Sequence, residues 1–192
     1  MGKPMKIYDN IQEIVKDDMV TTISKGSKVS IAAACFSMYA YKELKKQLDS
    51  VDEFRFIFTS PTFTKEKASK AKREFYIPRL SRETSLYGTE FEIKLRNEMT
   101  QKAIARECAD WIRKKATFKS NITGENMGGF MTVDAPAEQV AYMPIGGFTT
   151  VDIGCERGNN SYNMVNRMEA PFSIQYMQLF ETLWNDKTKM QD

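Results

Sequence analysis

With no histidine among its 192 residues, the chain must draw any acid, base or nucleophile from thiols, carboxylates and amines. Cys155 stands beside Glu156 and Arg157. A neighbouring cation can lower a thiol pKa, so Cys155 is the candidate nucleophile. Covalent catalysis also needs a base poised beside the nucleophile, and without imidazole an inert Cys155 is the simpler expectation. Asp152 and Glu156, four residues apart, could share acid–base work or hold a hard cation. Their plainer roles are a solvated loop edge or partners for Arg157.

A second concentration is basic. Lys65, Lys67, Lys70, Lys72, Arg73, Arg79 and Arg82 are opposed between 65 and 82 only by Glu66 and Glu74, with Phe63, Phe75 and Tyr76 interleaved. Such a run attracts a phosphate backbone and releases its counterions, while aromatic faces stack on unpaired bases. The alternative is a solvated loop anchored by Phe75 and Tyr76, and the two stand near parity. Arg113, Lys114, Lys115 and Lys119 end a helical stretch, where the helix dipole favours cations without any ligand.

The bulk composition excludes several classes. A net charge of +3 permits phosphate contact without demanding it. Cys35, Cys108 and Cys155 are scattered and odd in number, which argues against a disulfide framework and for a reducing, cytoplasmic setting. Three thiols without imidazole do not make a structural zinc site, and no metal is expected. The longest apolar run, at 29–38, is far short of the ~20 residues a bilayer needs. A nucleotide-binding P-loop, G-x-x-x-x-G-K-[ST], is missing.

These groups must be placed by an α/β frame. Apolar spacing predicts a helix over 5–24, with Asp9 or Asn10 helping to cap its start. Residues 28–36 read as a buried strand, 38–49 as a helix capped by Ser37, and 54–60 as a second strand. A strand–helix–strand unit points to a partly parallel sheet. Residues 61–87 leave the core as a long excursion, and 89–115 form an amphipathic helix with Phe91, Leu95, Met99, Ile104, Cys108 and Trp111 on one face. Strands are expected near 116–121, 127–134 and 139–145, with a further one at 149–154, then a loop at 156–160 and a closing helix at 172–185.

Residues 127–134 read Met-Gly-Gly-Phe-Met-Thr-Val-Asp, and 144–150 read Pro-Ile-Gly-Gly-Phe-Thr-Thr. This outline resembles the phospholipase D-like family, whose strand carries H-x-K-x-x-x-x-D before a G-S-x-N-F-T turn. Aligned on Asp134, the sequence has Met127 in the place of the nucleophilic His and Gly129 in the place of the Lys. Further stretches, among them Ser30-Ile31-Ala32-Ala33-Ala34-Cys35-Phe36-Ser37, Phe56-Ile57-Phe58-Thr59-Ser60-Pro61 and Glu107-Cys108-Ala109-Asp110-Trp111-Ile112, are similar to the N-terminal region of bacterial Swi/Snf-type (DEAD-like) helicases. Such proteins carry a phospholipase D-like domain ahead of the ATPase motor.

The resemblance implies a phospholipase D-like half-domain over 1–171, with a mixed, mostly parallel sheet flanked by helices, and a closing helix and linker over 172–192 leading to a motor beyond this chain. It implies an accessory module without catalytic residues, since Met127, Gly129 and Asp134 keep only the aspartate. ATP and Mg are expected in the motor alone, and no cofactor in this chain. The implied partners are nucleic acid, DNA ahead of RNA, the motor of the same polypeptide, and a second copy across the edge marked by Phe130 and Phe148; no membrane is implied. The alternatives are a protein-interaction or dimerisation module and, well behind, a phosphodiesterase with an atypical site. Met127 would fill the space a histidine leaves. The glycine pairs at 128–129 and 146–147 would mark close strand approach or open a shallow phosphate pocket.

Overall fold

The computed structural model describes residues 4–59 and 90–192, with residues 90–100 as helix backbone alone. The first departure from expectation comes at once. Met5–Tyr8 is a strand, β1, and the helix α1 begins only at Val15 and ends at Thr22. Between them the Asp9 carboxylate accepts from the amides of Ile11, Gln12 and Glu13, so the chain turns before it coils. Asn10 does act on the helix start, accepting from the Val15 amide at 2.8 Å.

The strand–helix–strand unit forms as expected. Strand β2 is Lys28–Ala33, helices α2 (Met38–Glu43) and α3 (Lys45–Ser50) follow, and β3 is Glu53–Phe58. Ser37 caps α2 by accepting from the Tyr39 amide. Strands β2 and β3 pair in parallel, Val29 opposite Phe54 and Ile31 opposite Phe56. After the long helix α4 (Glu90–Lys115), β4 (Ala116–Asn121) extends the parallel pairing beside β3.

The remaining strands reverse the expected balance. Strands β5 (Phe130–Asp134), β6 (Gln139–Met143), β7 (Val165–Glu169) and β8 (Met190–Gln191) complete an eight-stranded sheet in the order β1-β7-β6-β5-β2-β3-β4-β8. Only the β2–β3 and β3–β4 pairings are parallel; the other five are antiparallel. The sheet is therefore mixed and mostly antiparallel, not mostly parallel. A hairpin joins β5 to β6, and β7 and then β1 pair outward from it, each running against its neighbour. Residues 149–154 form no strand. They close as a turn, with the Ile153 amide on the Thr149 carbonyl and the Cys155 amide on that of Thr150.

Each face of the sheet buries a separate core. Val29, Ile31, Phe54, Phe56, Met131 and Val133 point towards α1, α2 and α4. There Trp111 packs on Tyr41 and Phe54 at ring distances of 5.1 and 4.9 Å and donates to the Leu48 carbonyl. The other face is smaller: Ala32, Ile57 and Phe130 lie under Phe180 of α5 (Phe172–Asn185). Residues 172–192 thus cover one face of the sheet and add a strand at its β4 edge. Phe130 and Phe148, expected at a pairing edge, are instead core residues with 4% and 0% exposure.

Candidate functional site

Three arrangements follow from this frame. The first holds the positions where the resemblance expects His and Lys. Met127 is half-buried against the apolar cluster under α5, so a thioether fills that volume. Gly129 sits where the hairpin folds back: Ile145 donates its amide to the Gly129 carbonyl, and a Cβ on Gly129 would stand 1.8 Å from the Ile145 carbonyl oxygen. No side chain fits there. Asp134 does not join them. It ends β5, five residues from Gly129 and about 17 Å away at a ~3.3 Å rise per residue. Of the four glycines, Gly129 and Gly147 mark close approach, whereas Gly128 faces open space and Gly146 has only a loose neighbour.

The second arrangement lies just past β2. A Cβ on Gly147 would come 2.7 Å from Cys35 Sγ and 2.9 Å from Asp152 Oδ2, so glycine lets the chain pass between thiol and carboxylate. Asp152 accepts from the Thr149 hydroxyl and from the amides of Gly147 and Thr149. Burial raises its pKa, and those hydrogen bonds only partly offset the rise. Burial also raises the Cys35 thiol, and the Asp152 charge pushes it further the same way. Cys35 is thereby held as a thiol, a poor nucleophile. Glu156 instead accepts from the Thr150 hydroxyl at 2.8 Å. The two carboxylates Asp152 and Glu156 therefore brace separate points of one turn rather than converging. Among the described residues no group of three His, Cys, Asp or Glu side chains could hold a metal ion.

The third was not foreseen. At the other end of the central strands, a cleft of about 340 Å³ opens between α5 and the sheet face of β5, β2 and β3. Strand register places its floor in two rows. Glu53, Lys28 and Asp134 lie side by side at the rim, and Arg55, Ser30 and Thr132 form the row beneath. Met177, Phe180 and Glu181 of α5 make the wall. Arg55 is the fixed point of the cleft. It donates to Ser30 Oγ at 3.2 Å, pairs with Glu181, and stacks on Phe180 and Trp184 at 5.0 and 5.4 Å. Its Nε is buried and makes no hydrogen bond, with Glu53 at an ion-pair distance of 3.8 Å. The hydrogen bond from Arg55 holds the Glu181 carboxyl below its ordinary range. In the sequence, 28–36 read as a buried strand and 54–60 as a second strand, and nothing grouped these residues. Only the fold of α5 back across the sheet encloses them.

The basic residues Lys65, Lys67, Lys70, Lys72, Arg73, Arg79 and Arg82 lie outside the described residues, between β3 and α4. No helix among the described residues is long and apolar enough to cross a membrane. No family model matches the chain, and no curated protein matches it at a significant level.

Proposed function

We propose that the chain is a phospholipase D-like accessory module of a helicase-type ATPase, without phosphodiester chemistry of its own, that binds nucleic acid through the segment 65–82. Gly129 carries the non-catalytic part of this reading. Its backbone lies against the Ile145 carbonyl, leaving no space for the lysine that would hold a phosphate. Met127 beside it belongs to an apolar cluster and has neither a nucleophile nor a proton to offer. The nucleic-acid part rests on seven cations against two carboxylates between 65 and 82, joined to the sheet at β3 and α4. DNA is the favoured partner, and ATP with Mg belongs to the motor.

A second reading, a protein-interaction module, is supported by one observation. Edge strand β1 leaves Met5 and Ile7 46% and 51% exposed beside a strand edge that pairs with no strand among the described residues. A second copy or the motor would dock there rather than on Phe130 or Phe148, which the monomer already buries.

Fluorescence anisotropy with labelled single- and double-stranded DNA and RNA across a salt series separates the two readings. The nucleic-acid module binds with a steep salt dependence and does not cleave. Replacing Lys70, Lys72 and Arg73 together by alanine lowers the slope of log K against log salt by about 2 to 3. No binding at low salt leaves the protein-interaction reading in its place.

A further inference from the structure

The two ends of a cross-strand pair in the cleft carry opposite charges yet do not touch. Lys28 and Asp134 stand directly opposite in the β2–β5 register. Such neighbours have Cβ atoms ~4.5–5.5 Å apart and would ordinarily form an ion pair. Among the described residues Lys28 enters no ion pair, although its charge helps to hold the Glu181 carboxyl down, and Asp134 accepts only a long bond from the Gln139 amide group at 3.4 Å. Both charges face the opening of the cleft, and the buried hydroxyls of Ser30 and Thr132 lie beneath them.

We propose that this cleft binds a small zwitterion, an α-amino acid with an apolar side chain. The ligand's carboxylate meets Lys28, its ammonium meets Asp134, and its side chain lies against the half-buried Met177. The charge pattern selects this class over its neighbours. Arg55 is already committed to Glu181. The cleft then holds three carboxylates against two cations, which repels a phosphate or other plain anion. A plain cation meets Lys28 at the centre of the rim row, between Glu53 and Asp134. A molecule with both charges on one carbon satisfies Lys28 and Asp134 together, and charge-assisted hydrogen bonds are the strong ones. The volume of about 340 Å³ lies at the small end of the ~300–1,000 Å³ typical of small-molecule sites. The inference is independent of nucleic-acid binding, because none of these residues belongs to the segment 65–82.

Isothermal titration calorimetry of the full chain with L-leucine, L-methionine and L-phenylalanine tests it, beside the N-acetyl and carboxamide derivatives of each. At least one free amino acid binds. Both of its blocked forms, each lacking one charge, bind at least about tenfold more weakly. Lys28→Met and Asp134→Asn, at exposed positions that leave the core intact, each lose about tenfold as well. The proposal is overturned if no free amino acid of the panel binds, if blocked forms bind equally, or if binding survives both substitutions.

Discussion

Gly129 and Ile145 meet backbone to backbone. The Ile145 amide donates to the Gly129 carbonyl at 2.9 Å, and a Cβ on Gly129 would lie 1.8 Å from the Ile145 oxygen. That contact joins the start of β5 to the turn after β6, and it leaves no room for a side chain at position 129.

Replacing Gly129 by alanine therefore destabilises the fold, by ~1–3 kcal/mol as for other overpacked sites. The obstacle is a backbone carbonyl, which cannot rotate away as a side chain could. Gly128→Ala is the control. Nothing lies within 4 Å of its Cβ, so its effect stays within ~0.5 kcal/mol. Urea midpoints of the two variants check this, and equal midpoints would refute the steric account.

Arg167 gathers three carboxylates: Asp18 on Nε at 2.8 Å, Glu169 on Nη1 at 2.7 Å and Glu138 on Nη2 at 2.8 Å. Asp18 also accepts from the hydroxyls of Tyr8 and Tyr142, so one α1 carboxylate ties the helix to β1, β6 and β7. Both members of the central pair are mostly buried, at 11% and 14% side-chain exposure. Arg167→Met strands Asp18 and costs about 3 kcal/mol. Asp18→Asn costs less, because Asn still accepts from one tyrosine hydroxyl through its oxygen and can donate to the other tyrosine's oxygen through its NH2. In a double-mutant cycle the double variant is more stable than the sum of the single losses predicts. Strict additivity would show that the pair is not coupled.

Stability falls on the alkaline side. Burial raises the Cys108 thiol from 9.0 to about 12. Burial, followed by the charges of Asp49, Cys108 and Glu107, raises Tyr41 from 10.0 to about 12. Tyr142 rises well above its ordinary value, mainly through burial. Each group keeps its proton more tightly folded than unfolded. Its contribution is complete below the unfolded pKa and is lost as pH climbs through the folded one. The urea midpoint thus declines from pH 9 towards about 12, and the combined Cys108→Ala, Tyr41→Phe variant declines less steeply. A midpoint flat across that window would contradict this ordering. In the native state at neutral pH, a thiol reagent leaves Cys108 unmodified, since it is buried and protonated.

The strand–helix–strand unit at β2–β3, the Ser37 cap, the helix over 172–185 and the lack of histidine were all legible in the sequence. Alternation, capping and composition are set by residues close together along the chain. The sheet's direction was not. Met-Lys-Ile-Tyr at β1 and Val-Asn-Arg-Met-Glu at β7 are short and broken by polar residues, so neither reads as a strand until the other lies beside it. Pairing partners more than a hundred residues apart are chosen by backbone hydrogen bonds and burial that no local window contains. The same reason governs the sites. The resemblance aligned Met127, Gly129 and Asp134 with one motif, and β5 carries the aspartate at its far end, five residues beyond Gly129. Lys28, Arg55, Asp134 and Glu181 share a cleft only because α5 folds back over three strands from separate parts of the chain.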